Sequence, residues 1–158
     1  MALIHAWFPV GGGALALGPR PGRRTFRALK AATDVLSVLS EKEGAAAIQR
    51  HVEEMGLRWW NLPLPNGQPF GQERDDLIAA LFLRLKQRLA DGARIYIHCA
   101  AGIHRTGMIG AGLLYALGLN DAEVETALLA LRPHTAVGVG EQRLAVARRF
   151  RPVRFSVR

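Results

Sequence analysis

A chain of 158 residues, 49% hydrophobic and 22% charged, has the size and composition of one folded domain with a real core, which excludes a disordered or low-complexity polypeptide. No apolar run reaches the roughly 18 residues that a membrane-spanning helix needs, and residues 1–10 lack the cationic and apolar regions of a secretory signal, so no membrane span or leader is expected. The net charge of +8 favours anionic partners, and a single cysteine excludes an internal disulfide and suits a reducing, cytoplasmic location.

In chain order, residues 3–10 and 14–17 read as two short strands joined as a hairpin across Gly11-Gly12-Gly13. After a Pro-Arg-Pro-Gly turn, residues 25–32 are expected to be helical, 34–40 a strand, and 43–55 a helix with Ile48, Val52 and Met55 on one face. Residues 57–64 return as a strand, and Pro63, Pro65, Asn66, Gly67 and Pro69 form a rigid, turn-rich loop. Residues 72–91 carry Leu77, Ile78, Leu81, Leu85 and Leu89 near helical spacing. Residues 93–97, Ala-Arg-Ile-Tyr-Ile, predict a buried strand, and residues 106–117 a helix. Asn120-Asp121-Ala122-Glu123 reads as the capped start of a helix over 124–131; Pro133 marks a turn, and 140–150 offer a last helix.

Strands alternating with helices predict an α/β fold, a central, mostly parallel sheet flanked by helices. Residues 1–150 are read as one domain and 151–158 as a basic C-terminal tail; a monomer is expected. Arg20, Arg23, Arg24 and Arg27, and Arg148, Arg149, Arg151, Arg154 and Arg158, carry much of the excess charge and read as solvated surface and frayed tail. No nucleic-acid motif accompanies them, so no nucleic-acid partner is expected.

The chemistry concentrates in His98-Cys99-Ala100-Ala101-Gly102-Ile103-His104-Arg105-Thr106-Gly107. Five residues separate Cys99 from Arg105 and must turn the chain from strand to helix. Their N–H groups can then converge at a helix N-terminus, where donors lack partners and the dipole favours an anion. The same field favours the nucleophilic thiolate form of a cysteine. Arg105 offers a planar fork for two phosphoryl oxygens, Thr106 can hydrogen-bond the Cys99 sulfur, and Gly102 and Gly107 suit a loop with unusual φ and close approach. Ala100, Ala101, Gly102, Ile103, His104 and Arg105 are therefore the expected phosphate cradle. His98 reads as a structural residue ending the strand and His104 as a loop residue facing substrate; neither has a partner at metal-ligand spacing, so no metal or other cofactor is expected.

Cys-x5-Arg-Thr, preceded by His98 and containing Gly102, resembles the signature loop of the protein tyrosine phosphatase superfamily, in particular the small dual-specificity group. The resemblance implies a single-domain cysteine-dependent phosphatase fold over nearly the whole chain. It also implies that Cys99 attacks phosphorus to form a phosphocysteine, that Arg105 and the loop amides bind the phosphoryl group, and that water hydrolyses the thiophosphate. The implied substrates are phosphomonoesters, on protein phosphotyrosine, phosphoserine or phosphothreonine or on a small molecule. The alternatives are a phosphate-ester binding pseudophosphatase and an RNA 5′-triphosphatase-like phosphohydrolase.

One family feature is missing. The resemblance places an aspartic acid on a loop about thirty residues before the cysteine, where this chain reads Leu62-Pro63-Leu64-Pro65-Asn66-Gly67-Gln68-Pro69, with Asn66 in the acid's place. A carboxamide orients a leaving group but delivers no acidic proton. Glu73, Asp75 or Asp76 could substitute; Asp75 and Asp76 also read as first-turn helix acids. Alternatively the substrate's leaving group needs little protonation. The family often holds its loop arginine with an acid near Glu41 and Glu43, and often places a hydrolytic water with a residue near Glu141-Gln142. Ordinary helix starts account for both equally well. Trp59 and Trp60 are expected in or beside the core.

Overall fold

The alternation of buried side chains along each strand decides which face of the sheet every element covers. In the computed structural model, which describes residues 2–66 and 71–152, β1 (Phe8–Val10) and β2 (Gly13–Gly18) form the expected antiparallel hairpin, turned at Gly11 and Gly12 with φ of 63° and 96°. With β3 (Asp34–Ser37), β4 (Arg58–Asn61) and β5 (Arg94–His98) they make a five-stranded sheet in the order β1-β2-β5-β3-β4. The β2–β5, β5–β3 and β3–β4 pairings are all parallel, so the mostly parallel sheet stands as expected.

Helices cover both faces. Leu15, Leu17, Leu36, Ile95 and Ile97 point to the larger core, and Ala16, Val35 and Tyr96, one residue out of phase, to the smaller. Over the larger core lie α2 (Asp75–Ala90), α3 (His104–Ala116), α4 (Asp121–Leu131) and α6 (Glu141–Arg148); α1 (Ala45–Glu54) and a 3-10 helix at Phe26–Ala31 close the other face. α3 is buried from Arg105 to Tyr115, which explains why its sequence is apolar all round. The expected cap of α4 forms as a capping box, Glu123 N–H donating to Asn120 Oδ1 at 2.9 Å and Asn120 N–H to Glu123 Oε1 at 3.0 Å.

Several elements are shorter than the residue pattern predicts. The first strand begins only at Phe8. The helix expected over residues 25–32 is a six-residue 3-10 helix between a Gly22–Thr25 turn and the extended Ala32. The strand expected to reach Ser40 stops at Ser37, because Ser40 opens a second 3-10 helix, Glu41–Glu43, through a capping box. β4 stops at Asn61, since its partner has ended and Pro63 and Pro65 cannot donate. Pro133, read as a turn, is instead the first residue of α5 (Pro133–Gly138), a position where its missing N–H costs nothing. Gly67 and Pro69 of the turn-rich loop, and Arg154 and Arg158 of the tail, lie outside the described residues.

Because β2, β3, β4 and β5 all run parallel, their carboxyl ends emerge along one edge of the sheet. The segments that follow them there contain Arg20, Glu43, Leu64 and Cys99, and this edge is where an open α/β sheet places a ligand.

Candidate active site

β5 delivers the chain to Cys99, and α3 picks it up at His104. Between them Gly102 has φ of 75°, and a Cβ there would come within 2.2 Å of the Gly18 carbonyl carbon, so the residue must be glycine for conformation and for space. A Cβ at Gly107 would meet Val139 side-chain carbons at 2.7 Å, which lets α3 seat against the end of α5. The loop carbonyls are held from outside. Ala100 C=O accepts from the Arg20 N–H at 2.9 Å, Ala101 C=O from Arg132 at 3.2 Å, and Gly102 C=O from Arg132 at 2.9 Å and Thr135 Oγ1 at 2.5 Å. In a planar trans peptide the N–H points opposite to the C=O. Fixing these three carbonyls outward therefore turns the N–H groups of Ala101, Gly102 and Ile103 toward the inner face of the loop.

Arg105 is 4% exposed, and its donors can be counted. A guanidinium carries five N–H bonds. Two, one on each terminal nitrogen, bind the Glu43 carboxylate at 2.7 and 2.8 Å, and a third donates to the Leu64 carbonyl at 3.1 Å. The buried Nε–H has no partner among the described residues. What remains is Nε–H and the neighbouring proton of the second terminal nitrogen, a parallel fork on one edge of the plane, the geometry that grips two oxygens of one phosphoryl group. The hydrogen bonds to Glu43, followed at a distance by the nearby Cys99 sulfur, raise the Arg105 pKa against the opposing effect of burial. Glu43 is correspondingly held at about 2, first by Arg105 and then by Ser40, whose N–H and Oγ donate to Oε1 at 3.1 and 3.0 Å. Arg20 holds the same turn by donating to the backbone carbonyls of Glu43 and Gly44. Of the two candidate acids, then, Glu43 meets the arginine; Glu41 is exposed.

Thr106 is fully buried, but its Oγ1 has no hydrogen-bond partner among the described residues. The hydrogen bond expected from Thr106 to the Cys99 sulfur is thus not made in this structure, and the hydroxyl stands uncommitted at the start of α3. His98 is buried with its ring stacked at 5.9 Å on Tyr96. Its Nδ1 lies 3.0 Å from the Cys99 carbonyl, which can only accept, so the proton is assigned to Nδ1 and the Ser37 hydroxyl donates to Nε2 at 2.7 Å, with Trp59 Nε1 donating to Ser37 Oγ at 3.0 Å. Burial pushes the His98 pKa down to about 4, so the imidazole is neutral, ends the strand and pins the first peptide of the loop. His104 is the exposed first residue of α3.

The candidate acids divide differently. Asn66 is exposed two residues beyond Leu64, whose carbonyl touches Arg105, so its loop stands beside the cradle. Asp75, in the first turn of α2, is tied to Arg149 at 2.9 Å, while Glu73 and Asp76 are exposed. Glu141 pairs with Arg148, and Gln142 is exposed in the first turn of α6. Arg148 and Arg151 both reach Asp121, so the C-terminal arginines that read as solvated surface include three, with Arg149, held in ion pairs. Arg132 and Thr135 carry no sequence signal for a role in the loop; their contact with it, across about thirty residues of chain, exists only after folding.

A family model described as the Swiss Army Knife protein, DSP-PTPase phosphatase domain (PTP-SAK), matches residues 9–156. Among solved structures the chain is similar to kinase associated phosphatase (KAP), 16% identical with 95% of each chain covered and a TM-score of 0.75. It is also similar to PTPMT1 in complex with PI(5)P, 19% identical over 86% of this chain and 88% of that one, TM-score 0.68. A third is P. aeruginosa TpbA, a cysteine-to-serine variant in complex with phosphotyrosine, 18% identical over 92% of this chain and 86% of that one, TM-score 0.56. No curated protein matches the chain in sequence. At these identities the structural likenesses establish the fold, that of the small dual-specificity phosphatases.

Proposed function

Since the chain belongs to the PTP-SAK family of dual-specificity-type phosphatase domains, we propose that it hydrolyses phosphate monoesters through a phosphocysteine on Cys99. The observation that carries this reading is the unfilled donor fork of Arg105, buried beside the Cys99 sulfur. A group held there, and by the amides of Ala101, Gly102 and Ile103, presents phosphorus to the thiolate. The Cys99 Sγ–P bond forms as the bond from phosphorus to the leaving oxygen breaks; water then attacks phosphorus, and the sulfur leaves as a thiolate. In this reading the Thr106 hydroxyl, which makes no hydrogen bond among the described residues, donates to that departing sulfur as the site closes on its substrate.

Asn66 shapes which esters react. The chain between Leu62 and Ile78 holds only three carboxylates, and Asp75 is engaged by Arg149. The leaving oxygen must then be one that tolerates departure with little protonation, or Glu73 or Asp76 must swing in. General acid catalysis contributes about 10²- to 10⁴-fold, so its loss still leaves an enzyme, though one selective for good leaving groups. Substrates are phosphorylated proteins or small phosphate esters, and the lone cysteine suits a reducing, cytoplasmic setting.

Purified protein in EDTA should hydrolyse p-nitrophenyl phosphate much faster than phenyl phosphate, with inhibition by vanadate and a trapped phosphoenzyme on acid quench. Full activity in Cys99→Ser would overturn the mechanism. Asn66→Asp should raise the rate chiefly for phenyl phosphate; loss of activity in Asp76→Asn with intact folding would instead identify a substitute acid.

A further inference from the structure

The arginines of the N-terminal cluster differ from those at the C-terminal end. Arg24 and Arg27 are exposed and make no ion pair among the described residues, whereas Arg148, Arg149 and Arg151 are each matched by a carboxylate. Arg24 and Arg27 line a groove of about 410 Å³ along residues 2–7. A second groove, about 470 Å³, shares Leu3, His5 and Thr25 with the first, so the two form one continuous trough. Its other end is walled by Arg20 and Arg132, the residues whose backbone N–H and guanidinium hold the Ala100, Ala101 and Gly102 carbonyls. Among the described residues no carboxylate lines either groove, and the lining between the cations is largely small and aliphatic. An unopposed row of cations over low-dielectric walls focuses a positive potential that ends beside the Ala100–Gly102 loop, at the residues that hold its carbonyls.

We propose that this trough seats an extended acidic stretch of the polypeptide that carries the phosphorylated residue, and so selects phosphoprotein substrates with acidic flanks. The inference rests on the phosphatase reading of Cys99. Charge alone would suit a nucleic-acid strand equally, but strand binding of that kind uses open aromatic faces for the bases. The aromatic rings here are engaged: Arg94 lies 4.3 Å over the Trp7 ring, and His51 stacks on Phe26 at 3.9 Å. An aliphatic floor edged by arginines instead matches a peptide whose acidic side chains alternate with apolar ones.

The test compares two phosphotyrosine peptides of identical core, one with Asp and Glu flanks and one with Asn and Gln, on the full chain. Arg24→Gln/Arg27→Gln alters the trough without touching the catalytic loop, and Arg50→Gln/Lys86→Gln removes the same charge elsewhere. The trough variant should lose about 10-fold in kcat/KM on the acidic peptide, through KM, with the neutral peptide and p-nitrophenyl phosphate unchanged. The wild-type preference for acidic flanks should shrink as salt is raised. The proposal is overturned by no loss, by equal losses on both peptides, by the same loss in the distant variant, or by a loss confined to a 5′-phosphorylated oligonucleotide, which would assign the trough to nucleic acid. Fluorescence anisotropy with the unphosphorylated acidic peptide separates the two readings. If catalysis is absent, weaker peptide binding by the trough variant still supports the docking surface, and unchanged binding rejects it.

Discussion

Two arginine–carboxylate pairs, of the same chemistry and both built on β3 or the turn after it, do opposite things. Asp34, at the start of β3, is fully buried and accepts from Arg88 Nε and a terminal nitrogen at 3.0 and 2.7 Å, from Trp60 Nε1 at 2.8 Å and from Thr33 Oγ1 at 2.6 Å. Burial opposes its ionisation, but these donors outweigh it and its pKa lies below the usual value. The carboxylate's acceptors are filled by these four hydrogen bonds, and the Arg88 protons not spent on it belong to a part-exposed side chain that water can reach. Glu43–Arg105, at the opposite end of the sheet, leaves the arginine with a spare fork and sits beside the unpartnered Thr106 hydroxyl. Of four buried polar atoms without a partner among the described residues, Arg105 Nε and Thr106 Oγ1 are two, and both belong to the first turn of α3. An unpaired buried donor costs about 1 to 3 kcal/mol unless something fills it, so the pair whose spare donors reach water is scaffold and the pair whose spare donors are buried is poised for an anion.

The difference can be broken from the site first. Arg105→Lys keeps the charge but removes the fork, and should lower kcat on p-nitrophenyl phosphate by about 10²- to 10³-fold with a small change in melting temperature. Asp34→Asn should do the reverse: steady-state kinetics below the melting transition nearly unchanged, and urea denaturation showing a loss of about 2 to 3 kcal/mol because Arg88 and Trp60 lose their charged acceptor. Equal effects of the two substitutions on kcat would erase the distinction. Glu43→Gln lies between them, since it loosens the arginine without removing it; about a 10-fold fall in kcat is expected, with vanadate binding weakened in parallel.

The smallest effects are in pH. Glu43 titrates at about 2 in the folded protein against an ordinary 4.5, so its contribution is complete above pH 4.5 and lost as pH falls toward 2. His98, lowered to about 4 from 6.5 by burial, also favours folding above its unfolded pKa, and this contribution fades as pH falls from 6.5 through 4. Chemical denaturation should therefore show stability declining in two overlapping windows on the acid side. Glu43→Gln should flatten only the lower one, and a profile flat between pH 6.5 and 4 would show that His98 is not held neutral.

Much of this was legible in the residues. The hairpin at Gly11 and Gly12, the short β-branched and aromatic run of β5, the capping box at Asn120 and the strand-turn-helix around Cys99 are local patterns, set by φ preferences and by side chains a few positions apart. The boundaries misread were those fixed by partners: β4 stops where β3 stops, and Pro133 begins a helix because α5 must pack Thr135 against Gly102. In the site, the sequence offered Glu41 and Glu43 on equal terms, and three acids in place of Asn66. Folding ties Glu43 to Arg105 and Asp75 to Arg149.

By itself, then, the sequence determined which cysteine and arginine share one loop, because Cys99 and Arg105 are six residues apart and a strand-to-helix turn converges its own N–H groups whatever surrounds it. The tertiary structure decided everything that aims this loop: the outward grip of Arg20, Arg132 and Thr135 on its carbonyls, and the choice of which arginine donors are spent on Glu43 and Leu64 and which stay free. Those contacts join residues 30 to 80 positions apart, brought to one edge by parallel strands, and no local pattern of residues records such a meeting.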